Sequence, residues 1–163
     1  MAQRLGIIFL NRDNIADVPR VGEVIQTALQ AGQGVVLFPE GTSSPGQRVL
    51  PFYSPLFEPV VRLGLPVNYA SLNYNSPDPA HPAHLSVCWW GDMTFLDHLL
   101  GLFSLPQVEA DVHFGVAPVH ECNRKRLAKR LHTEISQIFT PSATQDASLD
   151  YTRGPAWLKA TGH

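Results

Sequence analysis

Apolar residues in the N-terminal third of the chain form two short continuous runs with a helical pattern between them. The runs Leu5–Leu10 and Val35–Phe38 are rich in β-branched residues, which predicts two buried strands. Between them, apolar residues recur every three or four positions from Val21 to Leu29, so a helix is predicted that Asp17 caps and Gly32 ends. Two strands joined by one helix form a right-handed βαβ unit by default.

The rest of the chain continues this alternation of strands and helices. Three further strands are predicted, the last with one buried face: Pro66–Leu72, His84–Trp90 and Val108–Phe114. Helices are predicted over Ser54–Leu63, over Thr94–Phe103, and after a cap at Asn123 with the apolar stripe Leu127, Leu131, Ile135 and Ile138. We therefore expect an α/β domain over residues 1–139, with a mostly parallel sheet flanked by helices, and a loosely ordered tail over residues 140–163.

Composition restricts the class of protein. A chain of 163 residues with 44% hydrophobic and 16% charged residues suits one domain with a sizeable core. A net charge of −2 gives no general attraction for nucleic acid, so no nucleic-acid partner is expected. Cys88 and Cys122 lie far apart, which excludes a disulfide scaffold and a cysteine zinc site. No metal ligand set is predicted.

A polar turn follows the second predicted strand directly and is the sharpest chemical feature. Ligands of parallel sheets bind at the carboxyl ends of strands, and the segment Phe38–Ser44 (FPEGTSS) lies at such an end. Gly41 permits close backbone approach, Thr42 and Ser43 offer hydroxyl and amide donors, and Glu40 can accept from a ligand hydroxyl or a basic group. The alternative interpretation is a tight turn that carries a surface acid.

An arginine stands at the corresponding end of the first predicted strand. Arg12 closes the segment Gly6–Arg12, and a guanidinium at that place is positioned to bind a phosphate with two hydrogen bonds. If the two strands are neighbours, Arg12 and Glu40 open onto the same crevice. The alternative is an ordinary surface charge.

Together these segments resemble two signature blocks of the glycerolipid acyltransferases of the lysophosphatidic acid type. Gly6–Arg12 matches the block G-x-x-F-(I/L)-x-R at every fixed position, and Phe38–Ser44 matches the block FPEGT-(R/S)-S. The resemblance extends over Leu5–Ile138, and two blocks in the right order make it specific. It implies a glycerol-3-phosphate-acyltransferase-like α/β fold.

The resemblance also implies an activity in phospholipid biosynthesis. Such an enzyme transfers a fatty acyl group from acyl-CoA or acyl carrier protein to the hydroxyl of a 1-acyl-sn-glycerol 3-phosphate, and it needs no cofactor beyond that co-substrate. By the resemblance, Arg12 binds the acceptor phosphate, and Glu40, Gly41 and Thr42 form the rest of the acceptor site. Ser43 stands where many members carry an arginine, which leaves the identity of the acceptor open.

One family block has no counterpart in these residues. In such enzymes an H-x-x-x-x-D block supplies a histidine as general base and an aspartate that orients it. None of the seven histidines of the chain is followed by aspartate five positions later. The resemblance therefore implies a domain that lacks its N-terminal part, with the catalytic histidine and aspartate upstream of Met1 and with no activity of its own.

Two other functions remain open from the sequence. One alternative is a non-catalytic module that binds lipid or acyl carrier protein. The other is an acyltransferase that acts on an amine-containing lipid such as lyso-ornithine lipid. The substrates of the family imply a membrane-surface partner on the cytoplasmic face of the cell membrane. The apolar helix predicted over Thr94–Phe103 suits either packing in the core or insertion into a membrane surface. The basic stretch Arg124–Arg130 suits either exposure to solvent or contact with anionic lipid headgroups or acyl carrier protein.

Overall fold

The computed structural model describes residues 8, 10, 16–91 and 93–142, and within them the chain forms an α/β fold. This part of the chain contains five helices, one 3₁₀ turn and two strands, which is fewer strands than the sequence pattern predicts. They are α1 (Asp17–Gln30), a 3₁₀ turn (Ser54–Phe57), α2 (Glu58–Arg62), β1 (Ala70–Asn75), α3 (Ala83–Ser86), α4 (Phe95–Ser104), β2 (Glu109–Phe114) and α5 (Arg124–Ile138).

The sheet differs from the predicted one. Within the described residues it has two strands, and β1 and β2 pair antiparallel from Ala70 opposite Phe114 to Asn75 opposite Glu109. A single bridge between Val67 and Val119 extends this pairing towards α5. The α/β class is thus confirmed, whereas a mostly parallel sheet is absent from the part of the chain that the structure describes.

One strand prediction is wrong. The segment predicted as a strand over His84–Trp90 instead begins with the short helix α3, which starts directly after Pro82. Pro82 has an extended backbone just before the helix, and the Ser86 hydroxyl donates to the Pro82 carbonyl at 2.9 Å. These local bonds compete with strand pairing.

The segment Val35–Phe38 forms no strand with any described residue. It nevertheless shows a period of two in its burial. Val35 and Leu37 pack against a buried cluster, whereas Val36 and Phe38 are 83% and 72% exposed. The apolar run therefore has the sidedness of a strand without a hydrogen-bonded neighbour among the described residues.

The helix starts follow the prediction in part. Asp17 does not cap α1: it lies in the first turn and its carboxylate pairs with Arg20, with Nε and Oδ1 2.5 Å apart. Pro59 lies in the first turn of α2, where its missing N–H removes no helical bond, so the predicted Ser54–Leu63 helix becomes a 3₁₀ turn followed by α2. Asn123 caps α5 as predicted, and its Oδ1 accepts from the N–H groups of Lys125 and Arg126.

Two apolar clusters form the core. The larger, the α5 cluster, buries one face of α5 against the 3₁₀ turn and the end of the sheet, and it contains Phe57, Val119, Leu127, Ala128 and Leu131. The smaller, the α1 cluster, contains Val21, Ile25 and Leu56. Leu37 packs against both clusters, so the segment before the polar turn lies where the two meet.

The opposite side of the molecule leaves apolar residues open. All six residues of β2 are exposed, so the predicted buried face of that strand is wrong for the described residues. Helix α4 likewise contains no buried residue. Both elements have the amphipathic pattern of the sequence, but no described element covers their apolar sides.

Candidate functional site

The polar turn after the second predicted strand is a tight backbone turn. The Gly41 N–H donates to the Phe38 carbonyl at 3.1 Å, and Gly41 has a φ of 62°, a left-handed conformation that favours glycine. The Thr42 hydroxyl donates to the neighbouring Ser43 carbonyl at 3.4 Å, and Ser43 itself is exposed. The turn thus presents hydroxyl groups close to the surface.

Glu40 is the charged residue of this turn and is half-buried. Burial raises the pKa of its carboxyl from 4.5 to about 7, because the ionised form loses hydration. A hydrogen bond from the Leu50 backbone N–H to the carboxyl opposes that rise in the pKa. Leu50 is buried beneath the turn, so the donor is fixed by the core. A carboxyl that is half ionised near pH 7 can accept from a ligand hydroxyl or pair with a ligand cation.

The loop beyond the turn is tied down at two more points. The Tyr53 N–H donates to the Pro39 carbonyl at 2.8 Å. Farther along, the Ser142 N–H donates to the Gly46 carbonyl at 2.8 Å, and the Ser142 hydroxyl accepts from the Tyr74 N–H at 3.0 Å. Ser142 therefore joins the loop to strand β1. Glu40, Gly41, Thr42 and Ser43 lie on a supported loop rather than on a free surface segment.

Arg12, the other predicted site residue, lies outside the described residues. The structure does place its neighbours in sequence, since Ile8 and Leu10 pack against the α1 cluster together with Val35 and Leu37. The segments that lead into the two motifs therefore share one patch of core. Apart from Ile8 and Leu10, the predicted strand Leu5–Leu10 lies outside the described residues, so its pairing with Val35–Phe38 stays a prediction.

The basic stretch of α5 is largely engaged in ion pairs. Arg126 and Arg130 both reach Glu121, with nitrogen–oxygen distances of 3.0 and 3.5 Å. Arg124 pairs with Glu58 at 3.1 Å and, with Arg62, lowers the pKa of that carboxyl. Glu58 and Glu121 thus offset part of the positive charge of this stretch.

Other chemical groups of the described residues form no second site. His81 Nδ1 lies 2.7 Å from Asp78 Oδ2 in an exposed loop, and this contact lowers the pKa of Asp78. No group of three potential metal ligands occurs among the residues that the structure describes. In the same part of the chain, no helix combines the length and apolar character that a membrane span requires.

Sequence reasoning missed two residues that support the loop. His132 of α5 contacts the Val49 carbonyl through Nε2 at 3.3 Å, and Ser142 holds Gly46. A helical signal for His132 exists in the sequence, since it follows Ala128 by one turn and borders the apolar stripe. Ser142 gives no such signal, because its partners are remote in sequence.

Comparison with known proteins places this site in a class. Residues 1–69, which contain both motifs, match the family model described as Acyltransferase. A lyso-ornithine lipid O-acyltransferase of Rhodobacter capsulatus is 33% identical over 123 residues, which is 70% of this chain and 42% of the relative. A second protein of that name, from Brucella abortus, is 29% identical over 144 residues, or 81% of this chain and 54% of the relative.

A 1-acyl-sn-glycerol-3-phosphate acyltransferase of Neisseria gonorrhoeae is 32% identical over 97 residues, which is 55% of this chain and 38% of the relative. No solved structure matches the chain. Residues 1–69 therefore belong to the acyltransferase family, and the chain as a whole is similar to curated acyltransferases of lyso-lipids. It spans about half the length, or less, of these curated relatives.

Proposed function

We propose that the loop from Phe38 to Ser44 is the acceptor site of a phospholipid-biosynthesis enzyme that transfers a fatty acyl group to the hydroxyl of a lyso-lipid. The observation that carries this proposal is the desolvated Glu40 carboxyl, held by the Leu50 N–H inside a turn whose sequence matches the acyltransferase family. Glu40, Gly41, Thr42 and Ser43 line the acceptor headgroup, and Arg12 binds its anion. The acyl donor is acyl-CoA or acyl carrier protein.

The first candidate acceptor is 1-acyl-sn-glycerol 3-phosphate. Arg12 supports it, because a guanidinium matches a phosphate with two parallel hydrogen bonds. The neisserial relative carries the name of this activity. The product is then phosphatidic acid.

The second candidate acceptor is a lyso-ornithine lipid. Ser43 supports it, since a hydroxyl replaces an arginine that would add positive charge beside the headgroup. The proteins named for this activity also match a larger share of the chain, 70% and 81% against 55%. The ornithine ammonium group is a cation that the Glu40 carboxylate can pair with.

The general base of this reaction is proposed to lie outside the 163 residues. The family mechanism needs a histidine with an aspartate five positions later, and the chain contains no such pair. The chain by itself then binds acceptor without transferring acyl groups. Loss of a general base typically lowers the rate by about 10² to 10⁴.

Helix α4 is the proposed contact with the membrane that holds the lipid substrate, on its cytoplasmic face. Its exposed apolar residues Phe95, Leu96, Leu100 and Phe103 lie within one broad arc of the helix surface. Trp89 packs edge-to-face on Phe95, at 5.6 Å between ring centroids, and aromatic rings of this kind favour the membrane–water interface.

The acceptor assignment is tested by titrating the purified chain with each lyso-lipid while the Glu40 carboxyl is followed by ¹³C NMR. An ammonium group beside Glu40 lowers its pKa, whereas a nearby phosphate raises it, so the direction of the shift identifies the acceptor. Arg12→Ala is expected to weaken binding of a phosphate acceptor by about tenfold or more, in line with a charged hydrogen-bonded pair. Saturable binding of neither lipid would contradict the proposed site.

Turnover is measured in parallel with acyl-CoA and acyl carrier protein as donors. We expect none above background from the chain alone, and robust transfer would contradict the assignment of the general base to other residues.

Membrane contact is tested by sedimentation with phospholipid vesicles. A Leu96→Ser, Phe103→Ser double variant is expected to lose vesicle binding, while Thr133→Ser on α5 keeps it; equal binding of both variants would contradict the role of α4.

A further inference from the structure

A single peptide group connects helix α5 to the carboxyl of the proposed acceptor site. The carbonyl of Val49 contacts His132 Nε2 at 3.3 Å, and the N–H of Leu50 donates to the Glu40 carboxyl. That carbonyl and that N–H belong to the same planar amide, because Val49 and Leu50 are consecutive. The two hydrogen bonds therefore lie at opposite ends of one peptide dipole.

The chemistry of the partners fixes the role of the imidazole. A backbone carbonyl oxygen can only accept, so His132 must donate from a protonated Nε2. The ring is half-buried and is held by an edge contact with Phe52, at 5.2 Å between centroids and an interplanar angle of 76°. Its helix neighbour Leu131 is part of the α5 cluster, so the donor is attached to the most buried part of the molecule.

We propose that His132 is a positioning residue for the acceptor site, which orients the Val49–Leu50 peptide and thereby holds the Glu40 carboxyl in the polar turn. The proposal rests on the function proposed above, because the loop is an acceptor site only within that function. His132 does not touch the acceptor. It acts through the peptide plane alone.

Two physical effects follow from this arrangement. A donor on the Val49 carbonyl prevents the peptide from rotating, so the Leu50 N–H stays directed at Glu40. Hydrogen bonds in series also polarise one another, which makes the Leu50 N–H a stronger donor to an ionised carboxylate. Both effects favour the ionised form of Glu40 and therefore limit how far burial raises its pKa.

The test follows the titration of Glu40 by ¹³C NMR in the full chain, without any lipid. His132→Phe keeps an aromatic ring against Phe52 but removes the donor, and we expect the ionisation constant of Glu40 to fall about threefold. His132→Gln supplies an N–H at similar reach and is expected to restore the wild-type value. Ser136→Ala, a change one turn along α5 that leaves the imidazole intact, serves as the matched control.

Several results would overturn the proposal. One is an unchanged Glu40 titration in a folded His132→Phe protein. Another is a shift of equal size in Ser136→Ala. Should His132→Phe fail to fold, the wild-type chain still decides, since ¹⁵N NMR reports which ring nitrogen carries the proton, and an unprotonated Nε2 in the neutral imidazole would refute the contact.

Acceptor binding separates this inference from the proposed function. If the site is an acceptor site, His132→Phe weakens lyso-lipid binding about three- to tenfold and His132→Gln restores it. A chain that shows the Glu40 shift but binds no lyso-lipid would refute the proposed function. A chain that binds lyso-lipid without the Glu40 shift would refute only the role of His132.

Discussion

Helices α4 and α5 carry the same kind of pattern and have opposite surroundings. In α5 the apolar stripe is covered, with Leu127 and Leu131 only 1% and 2% exposed. In α4 the stripe is open, with Leu96 and Phe103 at 64% and 75% exposed. A hydrophobic stripe thus identifies which side of a helix avoids water, but whether that side contacts protein or another apolar phase depends on the rest of the molecule.

The largest expected difference between the helices comes from truncating one leucine on each. Leu127→Ala removes a side chain from the centre of the α5 cluster and leaves a cavity, so we expect a loss of about 3 to 4 kcal/mol in the free energy of unfolding. Leu100→Ala on α4 is expected to change it by less than about 0.5 kcal/mol. Urea denaturation measures both. Equal losses would mean that α4 is covered in solution.

The loop supported by α5 provides the next test, at Glu40. Its pKa is about 7 in the folded protein and 4.5 without burial, so the unfolded chain ionises first as the pH rises. Between these values the native state loses stability, by up to about 3 kcal/mol above pH 7. Glu40→Gln removes this loss.

The Glu40→Gln variant should therefore be more stable than the wild type at pH 8 and nearly equal to it at pH 4. Urea denaturation of each protein at both pH values measures how its own free energy of unfolding changes between pH 4 and pH 8. A variant that is less stable at pH 8 would mean that the Glu40 carboxyl is not desolvated.

Gly115 follows the exposed strand β2 directly and lies against Tyr69, at the edge of the α5 cluster. A Cβ there would lie 2.1 Å from Cζ of Tyr69, whose ring packs on that cluster, so Gly115→Ala is expected to cost about 2 kcal/mol of unfolding free energy. A methyl group added at Gly101 on α4 would have no described atom within 4 Å, and Gly101→Ala is expected to add about 0.5 to 1 kcal/mol through helix propensity. In thermal unfolding, the midpoint is expected to fall for Gly115→Ala and to rise for Gly101→Ala.

The smallest expected difference lies at the helix starts. Asn123 accepts two backbone N–H groups, so Asn123→Ala should cost about 1 kcal/mol of unfolding free energy. Thr94 begins α4, but its hydroxyl bonds Asp97 and accepts no backbone N–H, so Thr94→Ala should cost only a few tenths of that. Urea midpoints that rank the two variants in the opposite order would contradict this assignment of the caps.

Features that depend on neighbours in sequence were predictable. The cap at Asn123, the stripe of α5 and the turn at Gly41 all follow from residues within a few positions of each other. The sheet was not, because strand pairing joins residues remote in sequence, such as Ala70 and Phe114. The periodicity of an isolated segment cannot identify its partner.

The candidate site, too, was predictable only where it depends on residues close together in sequence. The motif located Glu40 and its neighbours, since residue types and spacing carry that information. The raised pKa of Glu40 and the support from His132 could not be predicted, because both require the buried segment around Leu50 to fold beneath the turn and α5 to pack against it. Arg12 remains a prediction from the sequence.

The contacts of Ser142 bear on how this domain is trimmed for biochemical work. A version that stops at Phe139, where the helical periodicity fades, would delete a residue that bonds both Gly46 and Tyr74. Such shortening would release the polar turn from the strand while leaving every helix in place. Headgroup affinity measured on the trimmed protein would then describe a loosened turn, so Ser142 has to be retained.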